Sequence, residues 1–259
     1  MSRYFIEVSY KGTAYSGFQV QQNAVTIQSE IEKALQTRYR QVLKLTGASR
    51  TDAGVHALQN YFHFDAEADL FSSYDSLDNK KSFQKALYSL NSILPGDIVI
   101  KRISKVADTA HCRFDAISRQ YTYYIYSEKN PFLKDTAYYY PYTMDFKKLQ
   151  QAAFVIINTV DFTSFSKRNT QVNNFLCSIY KSEWEKEKNL IVYNVIANRF
   201  LRGMVRGLVG TMLKVATGKI TLNDFKEVIK RADCAGTDFS VPPGGLFLVE
   251  VKYPYSTEC

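Results

Sequence analysis

The chain has 259 residues, and its 33 Lys and Arg exceed its 25 Asp and Glu, for a formal charge of +8. A hydrophobic fraction of 46% excludes a disordered chain, and no apolar run nears the roughly 18 residues of a membrane span. The opening residues alternate and meet charge at once, so they are not a signal peptide, and the four scattered cysteines (Cys112, Cys177, Cys234, Cys259) exclude a zinc ribbon or a disulfide scaffold.

These features predict a cytoplasmic protein with free thiols and no membrane association. The basic balance fits a polyanion partner. Aromatics make up 14% of the chain, with 19 Tyr, whose flat face and polar tip suit base stacking.

The predicted elements mix strands and helices. Residues 4–10 read as a strand closed by a Lys11-Gly12-Thr13 turn. Thr26 is placed to cap a helix bearing Ile27, Ile31, Ala34 and Leu35 at helical spacing. Residues 59–64 read as a strand, and the polar, mostly acidic residues 65–81 as an exposed loop. Phe83, Ala86, Leu87, Leu90 and Leu94 mark a second helix stopped by Pro95-Gly96, and residues 98–103 a strand.

The second half repeats the plan. Residues 119–126 read as a Tyr-rich strand, and Phe146, Leu149, Ala153, Ile156 and Ile157 mark a helix. Residues 180–185 and 191–197 read as strands. A long helix is expected from about Arg199 to Thr217, another from Thr221 to Ala232, and a closing strand over 246–253. Without regular βα alternation the fold class is α+β with antiparallel, partly mixed sheets. We expect two similar domains, 1–107 and 108–259, each with helices on one face of its sheet and an active-site cleft between them.

Two places can carry chemistry. On a helix from Arg199, the residues Phe200, Leu201, Met204, Val205, Leu208, Val209, Met212 and Val215 form an apolar arc, and Arg199, Arg202 and Arg206 share its edge. That row reads either as guanidinium groups lining a groove for phosphate or carboxylate, or as a solvated basic face. The stretch Gly47-Ala48-Ser49-Arg50-Thr51-Asp52-Ala53-Gly54-Val55-His56 is a tight, glycine-bracketed loop. Asp52 beside a fixed cation reads either as an ionised carboxylate nucleophile or as a turn cap paired with Arg50. The spacing of His56, His63 and His111 predicts no metal cluster. The chain has no Walker loop, no GxGxxG after a strand and no GxSxG, which weighs against nucleotide-dependent and serine-hydrolase chemistry.

The loop at residues 47–57, with its Arg-Thr-Asp-Ala-Gly core, resembles the active-site signature of the tRNA pseudouridine synthase A family. The stretch Tyr10-Lys11-Gly12-Thr13-Ala14-Tyr15-Ser16-Gly17-Phe18-Gln19-Val20-Gln21 is similar to that family's opening motif, with Phe18 where the family usually has Trp. Leu94-Pro95, His111-Cys112-Arg113-Phe114-Asp115-Ala116 and Arg119-Gln120-Tyr121-Thr122-Tyr123 resemble its middle. Asp161-Phe162-Thr163-Ser164-Phe165, the run from Asn198 to Arg206, and Pro242-Pro243-Gly244-Gly245-Leu246 resemble its second half. The likeness runs from about Tyr4 to Tyr253.

The resemblance implies isomerisation of uridine to pseudouridine on the 3′ side of the tRNA anticodon stem-loop, with no cofactor and no metal. It implies two α+β domains around a positively charged cleft, and a homodimer in which both subunits hold the tRNA. Carried onto this chain it makes Asp52 the catalytic carboxylate and Arg206 its ion-pair partner. Tyr121 is expected against the target base, Arg50 in tRNA binding and base flipping, and Leu246 in the apolar wall. The helical spacing then puts Arg206 one turn beyond Arg202, so that one arginine can pair with Asp52 while Arg199 and Arg202 hold phosphate. Whether the carboxylate attacks C1′ or C6 stays open. Two alternatives remain at this point: the same chemistry on other RNA uridines, and a non-catalytic two-domain RNA-binding protein.

Overall fold

The computed structural model describes residues 1–67, 70–71, 79–168 and 172–255. In chain order its elements are β1 (Ser2–Tyr10), α1 (Ile27–Tyr39), β2 (Thr46–Gly47), β3 (His56–Ala66), α2 (Asn79–Ile93), β4 (Ile98–Val106), β5 (Ser118–Tyr126), β6 (Tyr138–Tyr139), α3 (Phe146–Ile157), β7 (Ile179–Glu187), β8 (Leu190–Ala197), α4 (Met204–Ala216), α5 (Leu222–Lys230) and β9 (Leu246–Lys252). This is an α+β chain. Its contacts gather into an N-terminal unit, residues 1–117 with 248–259, and a C-terminal unit, residues 118–247. Among the described residues no helix is long and apolar enough to cross a membrane, and Cys112, Cys177 and Cys234 are free thiols.

In the N-terminal unit the strands lie in the order β4-β1-β3-β9, with β2 beside β3. β1 is antiparallel to both neighbours, Val8 facing Asn60 on one side and Ile100 on the other. Tyr4, Phe5, Ile6 and Val8 are all buried, so both faces of this central strand are covered. α1 starts where the sequence placed it. The Thr26 hydroxyl accepts from the Ser29 backbone N–H, and the Ser29 hydroxyl accepts from the Thr26 N–H. Such a cap stabilises a helix by about 0.5–2 kcal/mol. The helix buries Ile27, Ile31, Ala34 and Leu35, one stripe at 3.6-residue spacing.

The segment expected as an exposed loop is shorter than 65–81, because β3 runs to Ala66 and α2 begins at Asn79. Phe71 within it is buried, its ring against Tyr4, Tyr39 and Phe83. An aromatic side chain gains by joining such a cluster, through both area buried and ring–ring contact. Residues 68–69 and 72–78 of the expected loop lie outside the described residues.

In the C-terminal unit the strand order is β5-β8-β7, antiparallel throughout, with the short β6 parallel to β5. Trp184, Tyr193 and Tyr123 are fully buried there. α3 packs on β7 and α4, and α4 is buried along nearly its whole length.

The helix expected from about Arg199 to Thr217 forms only from Met204 to Ala216. α4 begins at Met204, after Gly203 in a left-handed conformation (φ 73°) that a side chain would strain. The preceding backbone is spent on tertiary bonds: Asn198 N–H donates to Ser178 O, and Arg202 O accepts from Lys167 N–H. Arg199 and Arg202 therefore do not share a helical face with Arg206; only Arg206 stands on the helix. The last helix also stops early, at Lys230, because Ala232 takes a left-handed backbone (φ 51°).

Candidate active site

Asp52 sits in the connection between β2 and β3, and the chain around it is fastened residue by residue. Ala48 N–H donates to Tyr61 O at 2.8 Å, and Asn60 Nδ2 donates to Ser49 O at 2.8 Å. Thr51 Oγ1 shares a 2.8 Å hydrogen bond with the buried Tyr10 hydroxyl, to which Asn60 also donates. Burial pushes the Tyr10 hydroxyl pKa well above its usual value, so it stays a neutral partner. Thr51 O accepts from Phe18 N–H, and Val55 N–H closes a turn onto Asp52 O. His56 Nδ1 accepts from Gly12 N–H at 3.0 Å, which gives that histidine a structural task.

Two glycines permit this packing. A Cβ on Gly12 would run into the Val55 carbonyl, and one on Gly17 (φ +100°) would stand 3.1 Å from Thr51 O. Phe18, where the resembling family usually has Trp, is a core residue: its ring stacks on Phe62 at 4.3 Å and fills the space over Gly47.

The result is a loop held rigidly around a carboxylate that the loop itself does not use. Asp52 is half-buried, and no described residue of its own unit hydrogen-bonds or ion-pairs with its side chain. Arg50 is exposed and does not pair with it. The turn-cap reading of Asp52 is thereby removed. A rigid, half-sheltered and unengaged carboxylate can act as a nucleophile or a base.

The C-terminal unit holds the other predicted residues. Arg206, half-buried on the first turns of α4, donates from Nε to Val241 O at 2.8 Å and from Nη2 to Phe239 O at 3.2 Å. Those carbonyls reach it because α4 lets the 237–241 segment lie close. Gly210 leaves no Cβ to meet Asp238 O, and Thr211 Oγ1 accepts from Asp238 N–H. Lys214 pairs with Asp238 at 3.4 Å. The Arg206 Nη1 donors have no partner among the described residues of the unit.

Tyr121 on β5 is buried, edge-on to Phe200 at 5.0 Å. Leu246 opens β9 after a tight Pro243–Gly245 turn and is buried. The Tyr123 hydroxyl anchors that turn by donating to Pro242 O at 2.7 Å. Arg199 is half-buried with one long contact, 3.4 Å, to Asn174, and Arg202 is exposed.

Sequence spacing missed one association. His63, on β3, lies beside His111 and Cys112, and a ligand atom from each falls within 4.8 Å of the others. A metal could be held there, but each group already has work. The Cys112 thiol donates to Thr46 O, His63 Nδ1 lies 3.1 Å from that sulfur, and His111 Nδ1 accepts from Arg113 and Phe114 N–H. No fourth His, Cys or carboxylate joins them among the described residues, whereas structural zinc takes four ligands. Burial pushes the His63 pKa down to about 4 and lowers that of His111. Tyr10 and Asn60, which hold the Asp52 loop, were also missed. A polar Asn amid the apolar residues of a buried strand was the one available signal.

A model of the tRNA pseudouridine synthase family matches residues 6–115 and 152–254. The tRNA pseudouridine synthase A of Bacteroides fragilis is 42% identical over 98% of this chain and 97% of its own length. That of Porphyromonas gingivalis is 40% identical, covering 98% of both. That of Staphylococcus epidermidis is 35% identical over 96% of this chain and 90% of its own length. An α+β chain with an isolated carboxylate in a fastened loop is thus placed among RNA-modifying isomerases. It belongs to the tRNA pseudouridine synthase family.

Proposed function

We propose that this protein isomerises uridine to pseudouridine in tRNA, on the 3′ side of the anticodon stem-loop, with Asp52 as the catalytic carboxylate. The observation that carries this reading is the Asp52 loop: Tyr10, Asn60, Thr51 and the backbone of Ala48 and Ser49 hold it, while the Asp52 carboxylate hydrogen-bonds to no described residue of its own unit. The reaction breaks the N1–C1′ bond, turns the uracil and joins C5 to C1′. C5 gives up its hydrogen and N1 gains one, so no atom is supplied from outside. We assign no cofactor or metal to this chemistry.

In this reading the free Nη1 of Arg206 pairs with Asp52. The Tyr121 ring lies against the flipped base, and stacking returns about 1–3 kcal/mol of the few kcal/mol that unstacking costs. Leu246 walls the pocket, since the detached uracil has to be retained in a dry site. Arg50 assists flipping and binding, and Arg199 and Arg202 hold phosphate. The cleft is assigned between the N-terminal half, 1–107, and the C-terminal half, 108–259, and the enzyme to a cytoplasmic homodimer whose subunits share one tRNA.

The test uses purified protein and unmodified tRNA labelled with tritium at uridine C5. Tritium release, with primer extension after chemical tagging to map the product, is expected in the anticodon arm. Product mapped elsewhere refutes the anticodon assignment, and no release refutes the activity.

A further inference from the structure

We infer that the turn at residues 111–115 is a stacking platform for an unpaired tRNA base, with the Phe114 ring taking the base and Arg113 the adjoining phosphate. This rests on tRNA being the substrate. Phe114 is 75% exposed. Single exposed apolar residues are common and need no function, but this one is mounted unusually firmly. Its ring packs on His111 with centroids 4.3 Å apart, and His111 packs on buried His63 at 4.6 Å. His63 in turn stacks near Phe5 in the core. A column of rings therefore runs from the core of the N-terminal unit to its surface and ends on the exposed Phe114 ring.

The backbone of the turn is held by several hydrogen bonds. His111 Nδ1 accepts from both Arg113 and Phe114 N–H, and Asp115 closes the turn by accepting from His111 N–H and donating its own N–H to His111 O. Tyr255 donates to the Asp115 carboxylate and Tyr253 to Cys112 O, while the Cys112 thiol reaches Thr46 O. Holding a large apolar ring rigid in water brings no folding gain. It lowers the entropy lost when a flat partner lands on it.

The partner's charge follows from the neighbour. The exposed Arg113 guanidinium sits over the Phe114 ring, 5.8 Å from its centroid, on a chain of net charge +8. A ring face beside a guanidinium suits a nucleotide, whose base stacks and whose phosphate pairs. None of these residues belongs to the catalytic set, so the platform adds reach beyond the reacting uridine.

The full-length protein and its Phe114→Ala, Phe114→Leu and Phe114→Tyr variants are titrated with unmodified tRNA, with melting and light scattering run alongside. Stacking is worth about 1–3 kcal/mol per base, or about 5- to 150-fold. Phe114→Ala and Phe114→Leu are expected to weaken binding by that factor at unchanged melting temperature, and Phe114→Tyr to keep it. Binding by Phe114→Ala equal to the parent's overturns the platform. So does full rescue by Leu, which would mean plain apolar contact, and so does a change of oligomeric state in Phe114→Ala, which would give the ring to a second copy. Tritium release by the parent, run on the same tRNA, keeps the two readings apart. Release with unaltered Phe114→Ala binding overturns only the platform, and a parent that neither binds nor releases overturns both.

Discussion

In the N-terminal unit the chain around Asp52 is held by backbone groups and by the neutral side chains of Tyr10, Asn60 and Thr51, and the carboxylate touches none of them. In the C-terminal unit the Arg206 guanidinium is itself a fastener, tying α4 to the carbonyls of Val241 and Phe239. One charged group is displayed by a scaffold; the other is part of its scaffold. Loss of function at the two positions therefore has different meanings, and stability measured beside activity tells them apart.

The largest effect is expected at Asp52. Asp52→Asn keeps the shape and removes the charge. Because the side chain makes no bond within its unit, stability should stay within about 0.5 kcal/mol of the parent. An amide cannot do the carboxylate's work at the glycosidic bond, so pseudouridine formation should fall below detection. Tritium release and thermal melting on one preparation decide this, and a folded variant with near-parent release removes Asp52 from the mechanism.

Arg206→Ala should lose both. It strips two buried-side carbonyls of their donors, a cost of about 1–3 kcal/mol, and it also removes the proposed partner of Asp52. Arg206→Lys keeps a charge, but a single ammonium cannot reproduce the forked geometry that serves both carbonyls. Urea unfolding of the two variants is the check. If Arg206→Ala unfolds at the parent's midpoint, the guanidinium is displayed like Asp52 and the contrast fails.

A good part of this was legible in the sequence, wherever the controlling contacts are local. The Thr26 cap with its apolar stripe and the Pro95-Gly96 stop could be read from neighbours within a few residues. So could the glycine-bracketed Asp52 loop. The start of α4 could not. Phe200 and Leu201 carry the helical apolar spacing, but Lys167 and Ser178, from distant segments, claim the backbone that a helix would have used. The His63, His111 and Cys112 group was hidden for the same reason: 49 residues separate His63 from Cys112, and only the packing of the 107–115 segment against β2 and β3 joins them. Residue type announces which groups can do chemistry. Strand pairing decides which of them meet.

Acid should act on the N-terminal unit through His63, away from Asp52. Burial is the main cause of its lowered pKa, with His111 and Arg3 adding to it and Asp65 and Asp115 opposing. Unfolded, the imidazole takes its proton near 6.5; folded, near 4. Between those values the unfolded chain binds the extra proton, so this contribution is complete above about pH 6.5 and is lost as pH falls toward 4. The full loss is at most roughly 3 kcal/mol. Comparing the pH 7.5-to-5 drop in unfolding free energy of the parent with that of His63→Gln isolates it, and equal drops would clear His63 of any part.

The smallest effect is expected at Arg202. The structure takes it off the α4 face and leaves it exposed, with its backbone carbonyl tied to Lys167 and its side chain in solvent. Arg202→Ala should therefore cost almost no stability, unlike Arg206→Ala four residues later. If it meets a phosphate, it releases one counterion on binding, and the slope of log affinity against log salt should shrink by about one. Binding should weaken evenly across tRNAs, because a phosphate contact reads no sequence. Titrations of parent and variant over a series of salt concentrations give both slopes. An unchanged slope would mean that Arg202 is only a solvated charge. A large stability loss would mean that this stretch, like Arg206, is part of the scaffold, and the line between displayed and fastened groups would then have to be drawn upstream of Gly203.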